Sequence, residues 1–257
     1  MTDGLTVQLS RAHVPVTVLG HGRRVGLWFQ GCTIGCAGCV ALDTWAPDPS
    51  RAIDVDVLAE RCRSLGDASG VDGVTISGGE PFDQPAALAA LLRGLRPWAD
   101  AAGRDLLCYS GRSLAALRSG FGDVLGLLDA IIPGPFVAAQ APGKLWRGSA
   151  NQELVALTEL GRRRYDGYVD RPADRLRLQA VADGAMVWYI GVPRPGDLER
   201  LDAALARRGL VSAAASWQGR TDRRAGASAR GKADERPDSP GQDDGGATAV
   251  AETGAGR

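Results

Sequence analysis

The chain is poor in several residue types, and each scarcity excludes something. It has only two histidines, His13 and His21, and five cysteines in 257 residues. Neither histidine follows the cysteines at the spacing of a zinc finger. No apolar run approaches the ~20 residues that span a bilayer. The opening MTDGLTVQLSRAHVP lacks a basic start followed by an apolar core, so it does not read as a secretory signal. Basic and acidic residues balance at 30 each, so neither nucleic acid nor an anionic membrane has an electrostatic hold on the chain. These absences point to a cytoplasmic protein, where thiols stay reduced and available to metal. The length suits one good-sized domain or two small ones.

What is present is concentrated in one stretch. Residues 28–39 read WFQGCTIGCAGC and place Cys32, Cys36 and Cys39 in a C-x3-C-x2-C loop after an apolar strand. Thiolates this close on one loop can converge on a soft metal centre. Three of them leave one iron of a cubic [4Fe–4S] cluster without a protein ligand, free to bind a small molecule. A structural zinc site lacking its fourth ligand is the competing reading. Cys62 and Cys108 stand apart and read as small buried apolar residues.

Strand-like runs at Leu5–Arg11, Val14–Leu19 and Val25–Gln30 lead into the loop, with a turn at His21 that could face the metal centre. Helical periodicity follows over Asp54–Leu65, then a short buried strand, Gly73–Ser77, ending in Ser77-Gly78-Gly79-Glu80-Pro81. The glycines let backbone approach a ligand closely, and Glu80 adds a charged acceptor at a strand end, where parallel α/β folds put their sites. Pro85 opens a helix with Leu88, Leu91, Leu92 and Leu95 on one face. Strands over Asp105–Tyr109 and Asp129–Ile132 continue the alternation, the former ending in Ser110-Gly111. Further strands over Arg175–Val181 and Met186–Ile190 and a helix over Asp197–Arg207 close the ordered part. Alternating apolar strands and helices predict a parallel sheet or partial barrel. Arg162-Arg163-Arg164 reads as a solvated run. After about Gln218 there is no Leu, Ile, Met or aromatic residue. Residues 212–257 are therefore expected to be a disordered tail.

The C-x3-C-x2-C loop followed by GGEP resembles the radical S-adenosylmethionine (SAM) enzymes. More closely, the chain is similar to the activating proteins of anaerobic ribonucleotide reductase, through Thr44-Trp45, Gly134-Pro135-Phe136 and the WRGS-x-NQ run from Trp146 to Gln152. The resemblance covers about residues 13–154, within a single domain over 1–211. It implies an α/β fold of the partial (β/α) barrel type, with a [4Fe–4S] cluster on Cys32, Cys36 and Cys39. It also implies that Ser77, Gly78, Gly79 and Glu80 take the methionine amino group of SAM, and that Ser110 and Gly111 meet its ribose or carboxylate. The implied activity is reductive cleavage of SAM to install a glycyl radical on a partner enzyme, with a flavodoxin- or ferredoxin-type electron donor. A radical SAM modifier of another peptide or a small metabolite is the alternative, and a non-catalytic iron–sulfur or zinc module the rival of another class. Two departures stand out: Gly38 where most such loops have an aromatic residue, and Pro133 where relatives carry an acid associated with a cation site. A short core is expected to leave the radical side open to a partner, with Trp146–Gln152 and Arg162–Arg164 as its docking surface.

Removal of everything after about Trp217 is predicted to leave the thermal unfolding midpoint unchanged, since that segment has little to bury. A truncated protein that precipitates contradicts this.

Overall fold

The computed structural model describes residues 4–173, 178–183, 186–210 and 215. Apart from Ala215, the expected tail lies outside the described residues, as do the first three residues of the strand expected from Arg175. The elements in order are β1 (Thr6–Val16), β2 (Arg24–Phe29), β3 (Ala52–Asp54), α1 (Val55–Ser69), β4 (Gly73–Gly78), α2 (Pro85–Ala101), β5 (Asp105–Ser110), α3 (Leu114–Gly120), α4 (Gly122–Leu125), β6 (Ala130–Pro133), β7 (Val155–Ala156), α5 (Glu159–Tyr165), β8 (Leu178–Asp183), β9 (Met186–Gly191) and α6 (Asp197–Ala206).

Local chemistry explains the helix limits. The Asp54 carboxylate caps α1 by accepting from the amides of Asp56 and Val57, and Gly70 ends it at φ 57°. Pro85 opens α2, whose leucines Leu88, Leu91, Leu92 and Leu95 are all buried. The first two expected strands are one irregular strand, β1, with register shifts against β2. The short strands β3 and β7 had no period long enough to be seen in the sequence.

The fold is mixed α/β. Seven strands form a sheet in the order β3-β1-β2-β4-β5-β6-β7, and β8-β9 make a separate hairpin. The four central strands β2, β4, β5 and β6 run parallel. One sheet face carries Val25, Leu27, Ile76, Leu106 and Cys108 and packs beneath α1 and α2. The other face is covered as well. Leu107, Ala130 and Ile132 pack against Leu145, Trp146, Leu154 and Tyr165. Val16 and Leu19 pack against Ile190, with Trp28, Tyr109, Val181 and Val192 at the margin. The chain after β6 thus supplies apolar side chains that bury this face.

At the N-terminal ends of the parallel strands lies a buried ion pair. Arg24 and Asp105, both fully buried, make a two-point contact at 2.7 and 3.0 Å. Arg24 also donates to Thr75 Oγ1 and the Val74 and His21 carbonyls, and the Tyr165 hydroxyl donates to Asp105 at 2.6 Å. The pair ties β2, β4, β5 and α5 together. Arg164 leans on it too, 3.6 Å from Asp105, so only Arg162 and Arg163 of the arginine run are solvated. Burial alone would raise the Asp105 pKa, but the Arg24 charge and the hydrogen bonds outweigh it and hold the carboxyl below its ordinary 3.8.

Asp105→Asn should therefore cost about 3–5 kcal/mol, because it leaves a buried cation uncompensated. A depressed folded-state pKa means that the contribution is present above pH 3.8 and is lost as the pH falls through the folded value. Urea unfolding of both proteins at pH 7 and pH 3 checks this; an equal midpoint at pH 7 contradicts it.

Candidate functional site

The cysteine loop is closed by backbone pairing. Gly31 N donates to Thr44 O (2.8 Å) and Cys32 N to Trp45 O (3.0 Å), which draws the Thr44-Trp45 pair under the loop. Asp83 grips the loop from outside: its carboxylate accepts from the Thr33 amide (2.7 Å) and hydroxyl (2.9 Å) and pairs with Arg112 (2.6 Å). The free thiols of Cys32, Cys36 and Cys39 are partly exposed.

The two glycines after β4 have a definite steric reason. A Cβ on Gly79 would stand 2.0 Å from the Gly31 carbonyl oxygen, and one on Gly78, at φ 108°, would stand 2.3 Å from Phe29 N. Glycine lets the end of β4 lie directly on the cysteine loop, where Gly79 N donates to Phe29 O and Glu80 N to Gly31 O, each at 2.9 Å.

Glu80 is fully buried and already engaged. Its carboxylate accepts from Phe82 N (3.0 Å), Ser110 Oγ (2.9 Å) and Gly111 N (2.7 Å). A carboxylate has about four lone-pair positions, so these donors leave room for about one more. The side chain is first of all a strut between the ends of β4 and β5. Burial raises its pKa above 4.5, against the pull of these donors and Arg112. The folded state then holds the proton more tightly than the unfolded state, so Glu80 draws on stability as the pH rises above that ordinary value.

These parts meet in a cavity of about 150 Å³ at the C-terminal ends of the parallel strands. All nine residues singled out from the sequence line it: Cys32, Cys36, Cys39, Ser77, Gly78, Gly79, Glu80, Ser110 and Gly111. Ile34, Trp45, Tyr109, Gly134, Phe136 and Gln152 complete the wall. None of these six was expected to bind a ligand, although Tyr109 immediately precedes Ser110, and Trp45, Gly134, Phe136 and Gln152 lie in the motifs that carry the resemblance. Gln152 donates to Gly134 O (2.8 Å) and accepts from Gly148 N, while Asn151 holds Pro135 O (2.8 Å). The WRGS-x-NQ loop is thus a clamp on the Gly134-Pro135-Phe136 turn. Of this expected docking surface Trp146, Arg147 and Ser149 are buried, Gly148, Asn151 and Gln152 half-buried and Ala150 exposed. His21 does not line the cavity; its ring lies beside Arg164 and Tyr168. Cys62 and Cys108 are buried core residues, the Cys62 thiol pushed up to about 12 by desolvation.

The donor set, three thiols on one cavity, fits a cluster. Among the described residues no three His, Cys, Asp or Glu side chains group to hold a single metal. A lone zinc needs its ligands ~2.0–2.3 Å from one point. A cluster gives each thiolate its own iron, which suits three thiols lining one cavity. Burial raises the Cys32 and Cys36 thiols, so loading metal would release protons.

Glu80→Ala should lower stability by about 2–4 kcal/mol, as buried donors on both loops lose their acceptor. Chemical denaturation of the metal-free protein measures this, and an unchanged midpoint contradicts it.

The model of the 4Fe-4S single cluster domain family matches residues 18–155. The anaerobic ribonucleoside-triphosphate reductase-activating protein of Vibrio cholerae is 31% identical over 150 residues, 57% of this chain and 96% of the relative. Its counterpart in Pasteurella multocida is 33% identical over 147 residues (55% and 92%), and that of Escherichia coli K12 28% over 143 (54% and 93%). Among solved structures, QueE from Escherichia coli aligns with 43% of this chain and 54% of its own at 17% identity, with a TM-score of 0.34, too slight to bear on the fold. The chain belongs to the 4Fe-4S single cluster domain family and stands with the anaerobic ribonucleoside-triphosphate reductase-activating proteins.

Proposed function

We propose that the chain is a radical SAM activase, which holds a [4Fe–4S] cluster on Cys32, Cys36 and Cys39, binds SAM in the adjoining cavity and installs a glycyl radical on a partner enzyme of the anaerobic ribonucleotide reductase type. The observation that carries this is the convergence of the three thiols with the ends of β4 and β5 on one cavity. Such a place, beyond the carboxyl ends of parallel strands, is where open α/β folds bind ligands. Held by Cys32, Cys36 and Cys39, such a cluster would supply the single electron that reductive cleavage of SAM requires.

The chain's own residues have separate tasks in this reading. The backbone of Ser77, Gly78 and Gly79 offers carbonyls to the methionine amino group, and the remaining acceptor capacity of Glu80 adds charge. Ser110 and Gly111, held by Glu80, face the ribose or carboxylate. Ile34, Trp45, Tyr109 and Phe136 keep water and stray hydrogen donors from the reacting centre. We read the sheet as a partial barrel within one domain of residues 1–211 followed by a tail, working in the cytoplasm with a flavodoxin- or ferredoxin-type donor. Among the described residues no helix is long and apolar enough to cross a membrane.

Replacing Cys32, Cys36 or Cys39 with Ala should abolish the brown chromophore, whereas Cys62→Ala and Cys108→Ala should keep it. Iron loss in Cys62→Ala with the fold intact would overturn the ligand set. Mixing reduced protein, SAM and a glycyl-radical reductase without oxygen should give a glycine-centred doublet by electron paramagnetic resonance. If deoxyadenosine forms productively only with a small metabolite, the activase reading fails.

A further inference from the structure

A second, smaller cavity lies behind the WRGS loop. Residues 144–147 run against residues 168–173: Lys144 bridges to Pro172, and Leu145 N donates to Arg171 O at 2.9 Å. Two arginines hang on that same run. Arg147, itself buried, donates to the carbonyls of Tyr168 (3.2 Å) and Val169 (2.8 Å), and Arg194 donates to the carbonyl of Ala173. These acceptors are neutral. Among the described residues neither guanidinium has a carboxylate within ion-pair distance. The third cation, Lys144, pairs at 2.5 Å with Asp170, whose side chain is 87% exposed, so water competes for it.

All three cations line the cavity together with Trp146, and none of the lining side chains is a hydrogen-bond acceptor. Two donors among these residues are buried without a partner, the Trp146 indole N–H and Arg194 Nε–H. Buried donors and cations ordinarily find acceptors or counter-charges. Lining side chains that can only donate, two planar guanidinium forks and an ammonium among them, suit an anion with several oxygens.

We propose that this pocket is an oxyanion site that takes a phosphate group. Two guanidinium groups without an ion-paired carboxylate, beside a lysine shared with exposed Asp170, leave positive charge for an anion, and guanidinium forks match phosphate geometry. The enclosed space, about 20 Å³, accepts a single oxygen, with the rest of the group at the mouth. Two hydrogen bonds join the pocket's lining to that of the cysteine cavity, one of them from Gly148 N to Gln152. Trp146, held at φ 65°, offers its carbonyl to the Tyr109 hydroxyl at 3.0 Å, and Tyr109 lines that cavity. The inference rests on no part of the activase reading.

The phosphate could be free or part of a nucleotide, and calorimetric titration of the full chain at fixed ionic strength separates the two. Inorganic phosphate, ATP and acetate are the probes. Saturable binding of phosphate and ATP supports a site for the free group, and binding of ATP alone supports a nucleotide source. In either case Arg194→Gln and Lys144→Gln should each weaken binding about tenfold, while the exposed Arg163→Gln leaves it unchanged. Lys144 is at the surface, so its variant keeps the test valid should Arg194→Gln misfold. No saturable binding of either phosphate probe, acetate binding as tightly as phosphate, or undiminished binding in the folded variants overturns the proposal.

Discussion

The carbonyl of Gly31 accepts the Glu80 amide at 2.9 Å, and this contact exists only because residue 79 has no side chain. Much of the site depends on it. It fixes the end of β4 against the root of the cysteine loop. Glu80 is thereby placed where its carboxylate can bind Ser110 and Gly111 at the end of β5. Three segments far apart in sequence thus share one small hydrogen-bonded unit, and the thiols stand at its rim. The glycine pair is a packing requirement before it is a ligand-binding feature, and both requirements can be met by the same residues.

The opposite end of the sheet is held by different means. The Arg24–Asp105 pair, reinforced by Thr75 and Tyr165, ties the beginnings of the same parallel strands whose ends form the cavity. Burying a charge pair is costly unless its geometry and hydrogen bonding are complete, and here five further contacts complete it. The strand ends at the cavity are thus built on a rigid base, as a site requiring positional accuracy needs. The family match ends at residue 155, whereas Tyr165, Val181, Ile190 and Val192, which help cover the second sheet face, lie beyond it. Tyr109 borders both that covering layer and the cavity, so the later segment contributes to the wall behind the site.

Much of the site was legible in the sequence because its chemistry is carried by contiguous residues at strand ends. The cysteine spacing and Ser77–Glu80 need no tertiary contact to be noticed, and the helices declared themselves through Asp54, Pro85 and the leucine face of α2. Other features were hidden for equally physical reasons. Nothing in the sequence joins Glu80 to Ser110 and Gly111, partners that lie 30 and 31 residues away. Asp83 gave no sign of holding Thr33 across 50 residues. The WRGS-x-NQ run looked like a surface loop because it is polar, yet Asn151 and Gln152 are spent on the Gly134–Phe136 turn and Arg147 on the carbonyls of Tyr168 and Val169. The covered second face depends on long-range packing of an amphipathic hairpin, which periodicity alone cannot locate.

In the proposed function, cluster and SAM share the cavity between the cysteine loop and the ends of β4 and β5. Electron paramagnetic resonance of the anaerobically reconstituted, reduced protein, recorded with and without SAM, tests it most directly. The account predicts a low-temperature iron–sulfur signal whose g-values shift when SAM is added, because the cofactor binds the iron that no cysteine holds. A cluster signal that SAM leaves unaltered at saturating concentration would contradict it.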